Sequence, residues 1–132
     1  MDAEYVFRVR LRLEPAAESV RVDPDSAEAT VTVSRDAPDP GTEGWLFFRN
    51  ALWRGEVADQ RYARQLAADW LGEPLGAIES VEFREFQADE EYFDAMKGEI
   101  ASNLEAFKAD NVSEVLSKYL GSSIRLPSDA DE

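Results

Sequence analysis

Residues 5–13 alternate without a slip. Tyr5, Phe7, Val9, Leu11 and Leu13 fall on one side of an extended chain, and Glu4, Val6, Arg8, Arg10 and Arg12 on the other. A period of two predicts a half-buried strand, which Pro15 ends. Val20, Arg21 and Val22 form a short extended piece before the turn signal Asp23-Pro24-Asp25-Ser26. Ala29 to Ser34 alternates again with Ala29, Val31 and Val33 inward, as an antiparallel partner of the first strand would.

After a Pro- and Gly-rich loop at residues 36–41 the period changes. The segment from Thr42 or Glu43 to Arg54 is expected to be a helix, with Trp45, Phe48, Ala51 and Leu52 as one stripe and Phe47 and Trp53 beside it. Gly55 stands where such a helix would stop. A second helix is expected from Val57 to Leu71, marked by Tyr62, Leu66 and Trp70 beside Ala63, Ala67 and Leu71, and broken by Gly72, Pro74 and Gly76. Glu79 to Phe86 reads as a third strand with Val81 and Phe83 on one face. Asp89 is placed to cap a third helix that runs along Phe93, Met96, Ile100, Leu104 and Phe107 to Ala109. Asn111-Val112-Ser113-Glu114 has the form of a capping box and opens a fourth helix, which Gly121 ends. Ile124 to Leu126 can add a last short strand. The expected fold is one α+β domain over residues 4–126, in the order ββααβαα with that optional last β. Helices would lie on one face of a small, mostly antiparallel sheet, and residues 127–132 would form an acidic, disordered tail.

Charge changes the picture of habitat. The chain has 28 Asp and Glu against 14 Lys and Arg, a net charge of −14, with 44% hydrophobic residues and no Cys or His. Self-repulsion of that size destabilises a compact state in dilute buffer, and molar salt screens it to a Debye length of about 3 Å. A normal core under so many carboxylates fits a salt-rich cytoplasm. The acidic start Met1-Asp2-Ala3-Glu4 has no signal-peptide pattern, and no apolar run approaches the roughly 20 residues of a membrane span. The expected location is therefore cytoplasmic, with no membrane partner. Without Cys or His, thiolate chemistry, imidazole bases and their metal sites are excluded.

Three blocks carry a family resemblance. They are Tyr5-Val6-Phe7-Arg8-Val9-Arg10, then Gly44-Trp45-Leu46-Phe47-Phe48-Arg49-Asn50-Ala51-Leu52-Trp53-Arg54-Gly55-Glu56, and Val115 to Ile124 with Tyr119-Leu120-Gly121-Ser122-Ser123. Together they resemble the LWR-salt proteins of halophilic archaea. The resemblance implies an intracellular haloarchaeal origin. It brings no activity and no catalytic or binding residues.

Two candidate surfaces emerge from the residues themselves. The edge of the aromatic segment, Arg49, Trp53 and Arg54, with Arg61 and Arg64 as its continuation, has the Trp and Arg content of an interface hot spot. Its alternative is core, with Arg49 stacked on Trp45 or Trp53. Arg8, Arg10 and Arg12 share one strand face and could hold a phosphate or carboxylate, or could pair with Glu28, Glu82 or Glu85 on neighbouring strands. Nucleic acid is disfavoured there. Three phosphate contacts lose on the order of several hundredfold in affinity between about 0.15 M and about 3 M salt. The expected role is a non-catalytic module binding an unknown protein or a second copy of itself. The alternatives are anion, nucleotide or RNA binding on the Arg strand, or an enzyme using carboxylate and Arg. No P-loop, dinucleotide fingerprint or nucleophile–base pair is present, and no cofactor is expected.

Overall fold

The computed structural model describes residues 1–13 and 27–126. The extended piece at Val20–Val22, the turn at Asp23–Ser26 and the acidic tail lie outside those residues. Strand β1 (Ala3–Leu13) pairs antiparallel with β2 (Ala27–Asp36) and with β5 (Ile78–Ala88), and β6 (Ile124–Arg125) joins β5 in parallel, so the sheet order is β2-β1-β5-β6. Helices α2 (Gln60–Leu71), α3 (Glu90–Ala101) and α4 (Val112–Tyr119), with a short α1 (Phe47–Ala51), complete an α+β fold. No helix among the described residues is long and apolar enough to cross a membrane.

The period-two pattern of β1 decides the layering. Tyr5, Phe7, Val9 and Leu11 are buried in the core, whereas Arg8, Arg10 and Arg12 are exposed on the opposite face. Val6 departs from that polar row. It is buried, although it belongs to the Arg side of the strand.

Strand β5 is longer than expected and its pattern is not a simple alternation. Ile78, Val81, Phe83, Phe86 and Ala88 are all buried, with gaps of three residues twice. The β1–β5 register slips between Val6 and Phe7 and between Arg10 and Leu11, leaving Arg84 and Glu79 as extra residues on β5. Each bulge resets the phase, so residues three apart both face inward.

The expected helix over 42–54 is corrected. Only Phe47–Ala51 is helical; Leu52–Trp53 (β3) and Glu56–Val57 (β4) form a small hairpin. The start of α2 therefore moves from Val57 to Gln60, and the Asp59 carboxylate accepts from the N–H groups of Arg61 and Tyr62. Tyr62 is exposed; the helix instead buries Ala63, Ala67 and Ala68, whose small side chains let it lie close to the sheet. The third helix also ends early, at Ala101. There Ser102 Oγ donates to Gly98 O (3.1 Å) and Asn103 Nδ2 to Glu99 O (2.8 Å). Such side chains compete with the helical ladder, and Leu104–Phe107 continues only as a 3-10 turn. The caps at Asp89 and Asn111 are as expected, each side chain accepting from the backbone N–H three residues on.

The free side of β5 is covered at two places. Gln60 Nε2 donates to Val81 O (2.6 Å) while Val81 N–H donates to Gln60 Oε1 (3.2 Å), so one amide side chain occupies the place of a strand. Further along, β6 pairs at Phe86 and Gln87. Replacing Gln60→Ala should lower stability by about 1 kcal/mol, read by urea unfolding, and should speed hydrogen exchange at the Val81 amide more than at Val9.

Candidate functional site

The segment Leu52-Trp53-Arg54-Gly55 is a tight turn rather than a helix end. Arg54 (φ 54°) and Gly55 (φ 82°) are consecutive residues in the left-handed region, the requirement of a two-residue type I′ hairpin. A non-glycine residue there costs about 1–2 kcal/mol. Two hydrogen bonds offset that cost. Arg54 N–H donates to Lys118 O (2.8 Å) and Gly55 N–H to Tyr119 O (3.0 Å), so the turn satisfies carbonyls at the end of α4 that would otherwise lack partners.

The fit is reciprocal. A Cβ on Gly55 would lie 2.9 Å from Leu120 O, and one on Gly121 (φ 59°) would lie 2.9 Å from Arg54 O. Two left-handed glycines therefore allow two backbone turns to touch. Leu52 is buried in the core, and the Trp53 ring meets Tyr119 edge-on at 6.0 Å.

Trp53 itself remains 45% exposed. The Arg54 guanidinium lies 5.7 Å and Lys118 Nζ 5.9 Å from its ring centre. Lys118 is fixed in place because its Nζ also donates to Phe107 O (3.0 Å). These side chains, with Glu114 and Ser117, line a shallow open groove of about 510 Å³. Among the described residues the Trp53 indole N–H has no hydrogen-bond partner.

Of the sequence candidates, Trp53 and Arg54 meet in this groove. Arg49, Arg61 and Arg64 are not among its lining residues. Arg49 does not stack on Trp45 or Trp53, as the alternative core reading had it; it donates to Ala106 O (3.4 Å) and Asn50 Oδ1 (3.3 Å). Arg61 is exposed on α2, while Arg64 is half-buried with its Nε unpaired. Lys118, Glu114 and Ser117 were not singled out from the sequence. The signal for them was the pair of glycines at 55 and 121, each following a cation or an apolar residue at a strand or helix end.

The Arg strand is open to solvent on the outer face of the sheet. Arg12 pairs with Glu79 across the bulge, and Glu82 and Glu85 are taken by Arg84 (2.8 Å) and Arg125 (3.2 Å). Among the described residues Arg8 and Arg10 have no ion-pair partner. Arg8 lies between Thr32 and Glu82, and Arg10 between Thr30 and Ser80.

A larger cleft of about 890 Å³ lies at the end of the sheet, lined by Glu4, Asp36, Asp39, Glu85, Asp89 and Arg125 among others. The shift of Asp89 in its lining is structural in origin. Asp89 is held below its ordinary 3.8 first by the Tyr92 and Asp2 backbone N–H groups and then by the charge of the Met1 amine. Tyr92 is pushed up to about 12 by burial and the Asp39 carboxylate, and its hydroxyl donates to Pro38 O (2.6 Å). Burial raises Tyr5 further still. Among the described residues no group of three acidic side chains is placed to hold a metal ion.

A family model described as LWR-salt protein matches residues 1–130, nearly the whole chain. No curated protein and no solved structure matches it.

Two outcomes are expected. Gly55→Ala or Gly121→Ala should each cost about 2 kcal/mol or more in thermal unfolding, since the left-handed backbone and the carbonyl contact both oppose a Cβ. Asp89→Ala should lower the melting temperature at neutral pH. Because the folded pKa lies below 3.8, that contribution is present above 3.8 and lost as the pH falls beneath it, so the wild type and variant melting curves should converge in acid.

Proposed function

The chain belongs to the LWR-salt protein family, and from the way its namesake tripeptide is built we propose that it is a non-catalytic protein–protein interaction module of a salt-rich cytoplasm. The supporting observation is Trp53. A ring this exposed contributes little to its own core, yet the turn, Tyr119 and two cations hold it in one place. Tryptophan and arginine are enriched in interface hot spots: the indole offers a large contact area with few rotatable bonds, and the guanidinium a planar fork of donors. The partner segment that suits the groove presents an apolar or aromatic side chain to the indole and a carboxylate between Arg54 and Lys118. In molar salt the ionic part is screened, so the ring contributes most of the affinity.

Composition supports the rest. A net charge of −14 with only three lysines suits high salt, and a chain without His or Cys has no side chain whose ordinary pKa lies near neutrality. A second reading, anion binding, rests on Arg8 and Arg10, which are exposed and unpaired among the described residues. Arg is suited to carboxylate or phosphate, but interleaved Glu82, Glu85 and Glu28 leave that face without a strong positive field.

The test is affinity capture in about 3 M KCl with wild type and Trp53→Ala, each checked by thermal melting. The variant should stay folded, losing no more than about 1.5 kcal/mol, while binding of the captured protein weakens tenfold or more. Capture unchanged by Trp53→Ala would sink the proposal.

A further inference from the structure

The two edges of the sheet are treated differently. The β5 side is closed by β6 and by the Gln60 amide, whereas among the described residues β2 pairs only with β1. Strand β2 runs for ten residues, Ala27–Asp36, without Pro, Gly or Lys and without a register slip against β1. Proteins usually blunt an edge with those devices, and a long plain edge is a template for another strand.

The phase of the ladder is fixed. Ala37 N–H donates to Ala3 O (2.9 Å), so odd-numbered residues of β2 exchange their bonds with β1. The N–H and C=O groups of Thr30, Thr32 and Ser34 therefore point away from the molecule. On the inner face Ala29, Val31 and Val33 are only half-buried.

We propose that β2 is the seam of a symmetric dimer, in which two copies pair antiparallel through this strand to make one eight-stranded sheet. Self-complementarity selects the register. With Val31 on the two-fold axis, Thr30 lies opposite Thr32 of the second copy, Ala29 opposite its Val33, and Glu28 opposite its Ser34. The outward N–H and C=O groups of Thr30 and Thr32 then bond across the seam, and the half-buried valines meet each other. Sliding to centre on Thr32 instead sets Glu28 against Asp36 twice, a like-charge clash. Because both copies use the same edge, the contact is isologous and closes at two chains. The same geometry aligns unpaired arginines, because the row Arg8–Thr32 continues into Thr30–Arg10 of the second copy. Each copy carries −14, so the dimer should form in molar salt and weaken as salt is withdrawn. This surface is separate from the Trp53 groove, and either can stand without the other.

The chain has no cysteine, so single-cysteine variants read the register directly. In about 3 M KCl, mild oxidation should link Val31→Cys into a dimer, because a non-hydrogen-bonded pair on the axis has Cα atoms about 4.5 Å apart. Val33→Cys should not be linked, because it lies about 13 Å from its own copy along the strands. In light scattering without oxidation, wild type should show twice the 14.8 kDa chain mass. The double variant Thr30→Lys with Thr32→Lys should be a folded monomer, since both positions are exposed and lysine would face lysine across the seam. A monomeric wild type, equal linking at both positions, or a lysine variant that still dimerises would each overturn the proposal.

Discussion

The opposed chemistry of the two faces of β1 is the constraint under which the rest of the molecule is built. As the second strand in a sheet ordered β2-β1-β5-β6, it has neighbours on both sides and can offer only one face to the helices. Its aromatics start a connected core. Tyr5 meets Phe47 at 4.8 Å and Phe86 at 5.0 Å, and Phe7 meets Trp70 at 5.2 Å. From α1 the contacts continue through Phe48 to Phe107 and Tyr119. The arginines on the reverse keep that side wet. A four-stranded sheet with one apolar face follows from the alternation of Tyr5, Phe7, Val9 and Leu11 with Arg8, Arg10 and Arg12.

Those parts that depend on local chemistry were legible in the sequence. The β1–β2 pair, the caps at Asp89 and Asn111, the stops at Gly72 and Gly121 and the α+β class all come from periodicity and side-chain hydrogen bonding. What was not legible depends on partners distant in sequence. The bulges at Glu79 and Arg84 shift the inward phase of β5, and a single strand cannot announce a slip against its neighbour. The stripe of Trp45, Phe48, Ala51 and Leu52 reads as helix, but the segment ends in a hairpin whose turn donates two hydrogen bonds to the end of α4. Arginine in a left-handed turn breaks the local rule that favours Asn or Gly there. At the candidate site, Trp53 and Arg54 could be named from composition, whereas Lys118 could not be placed beside them without the junction.

That junction also gives the family's tripeptide a physical meaning. Its three residues divide the work: Leu52 enters the core, Trp53 stays at the surface, and Arg54 supplies an unusual backbone angle as well as a cation. The Tyr-Leu-Gly block near the C-terminal end is its other half, since Tyr119 supports the indole and Gly121 admits the turn. Residues 67–132 carry sixteen Asp and Glu against five cations, and four of the five make specific contacts: Arg84 and Arg125 with glutamates, Lys97 with Asp94 and the Phe93 ring, and Lys118 with Phe107 and Trp53.

The order of strands has a consequence for synthesis. β1 is made first, yet its second neighbour, β5, begins only at Ile78, and Ala3 finally pairs with Ala88. A two-stranded ribbon is marginal in water. On a ribosome, β1 and β2 must therefore wait with Tyr5 and Phe7 uncovered while the α1–α2 region is translated. The three long strands can lock only when the chain as far as Ala88 has left the exit tunnel. Long-range closure of this kind slows folding, and the stretch that waits, residues 1–66, carries nine cations against twelve anions, so its charge does little to hold neighbouring chains apart.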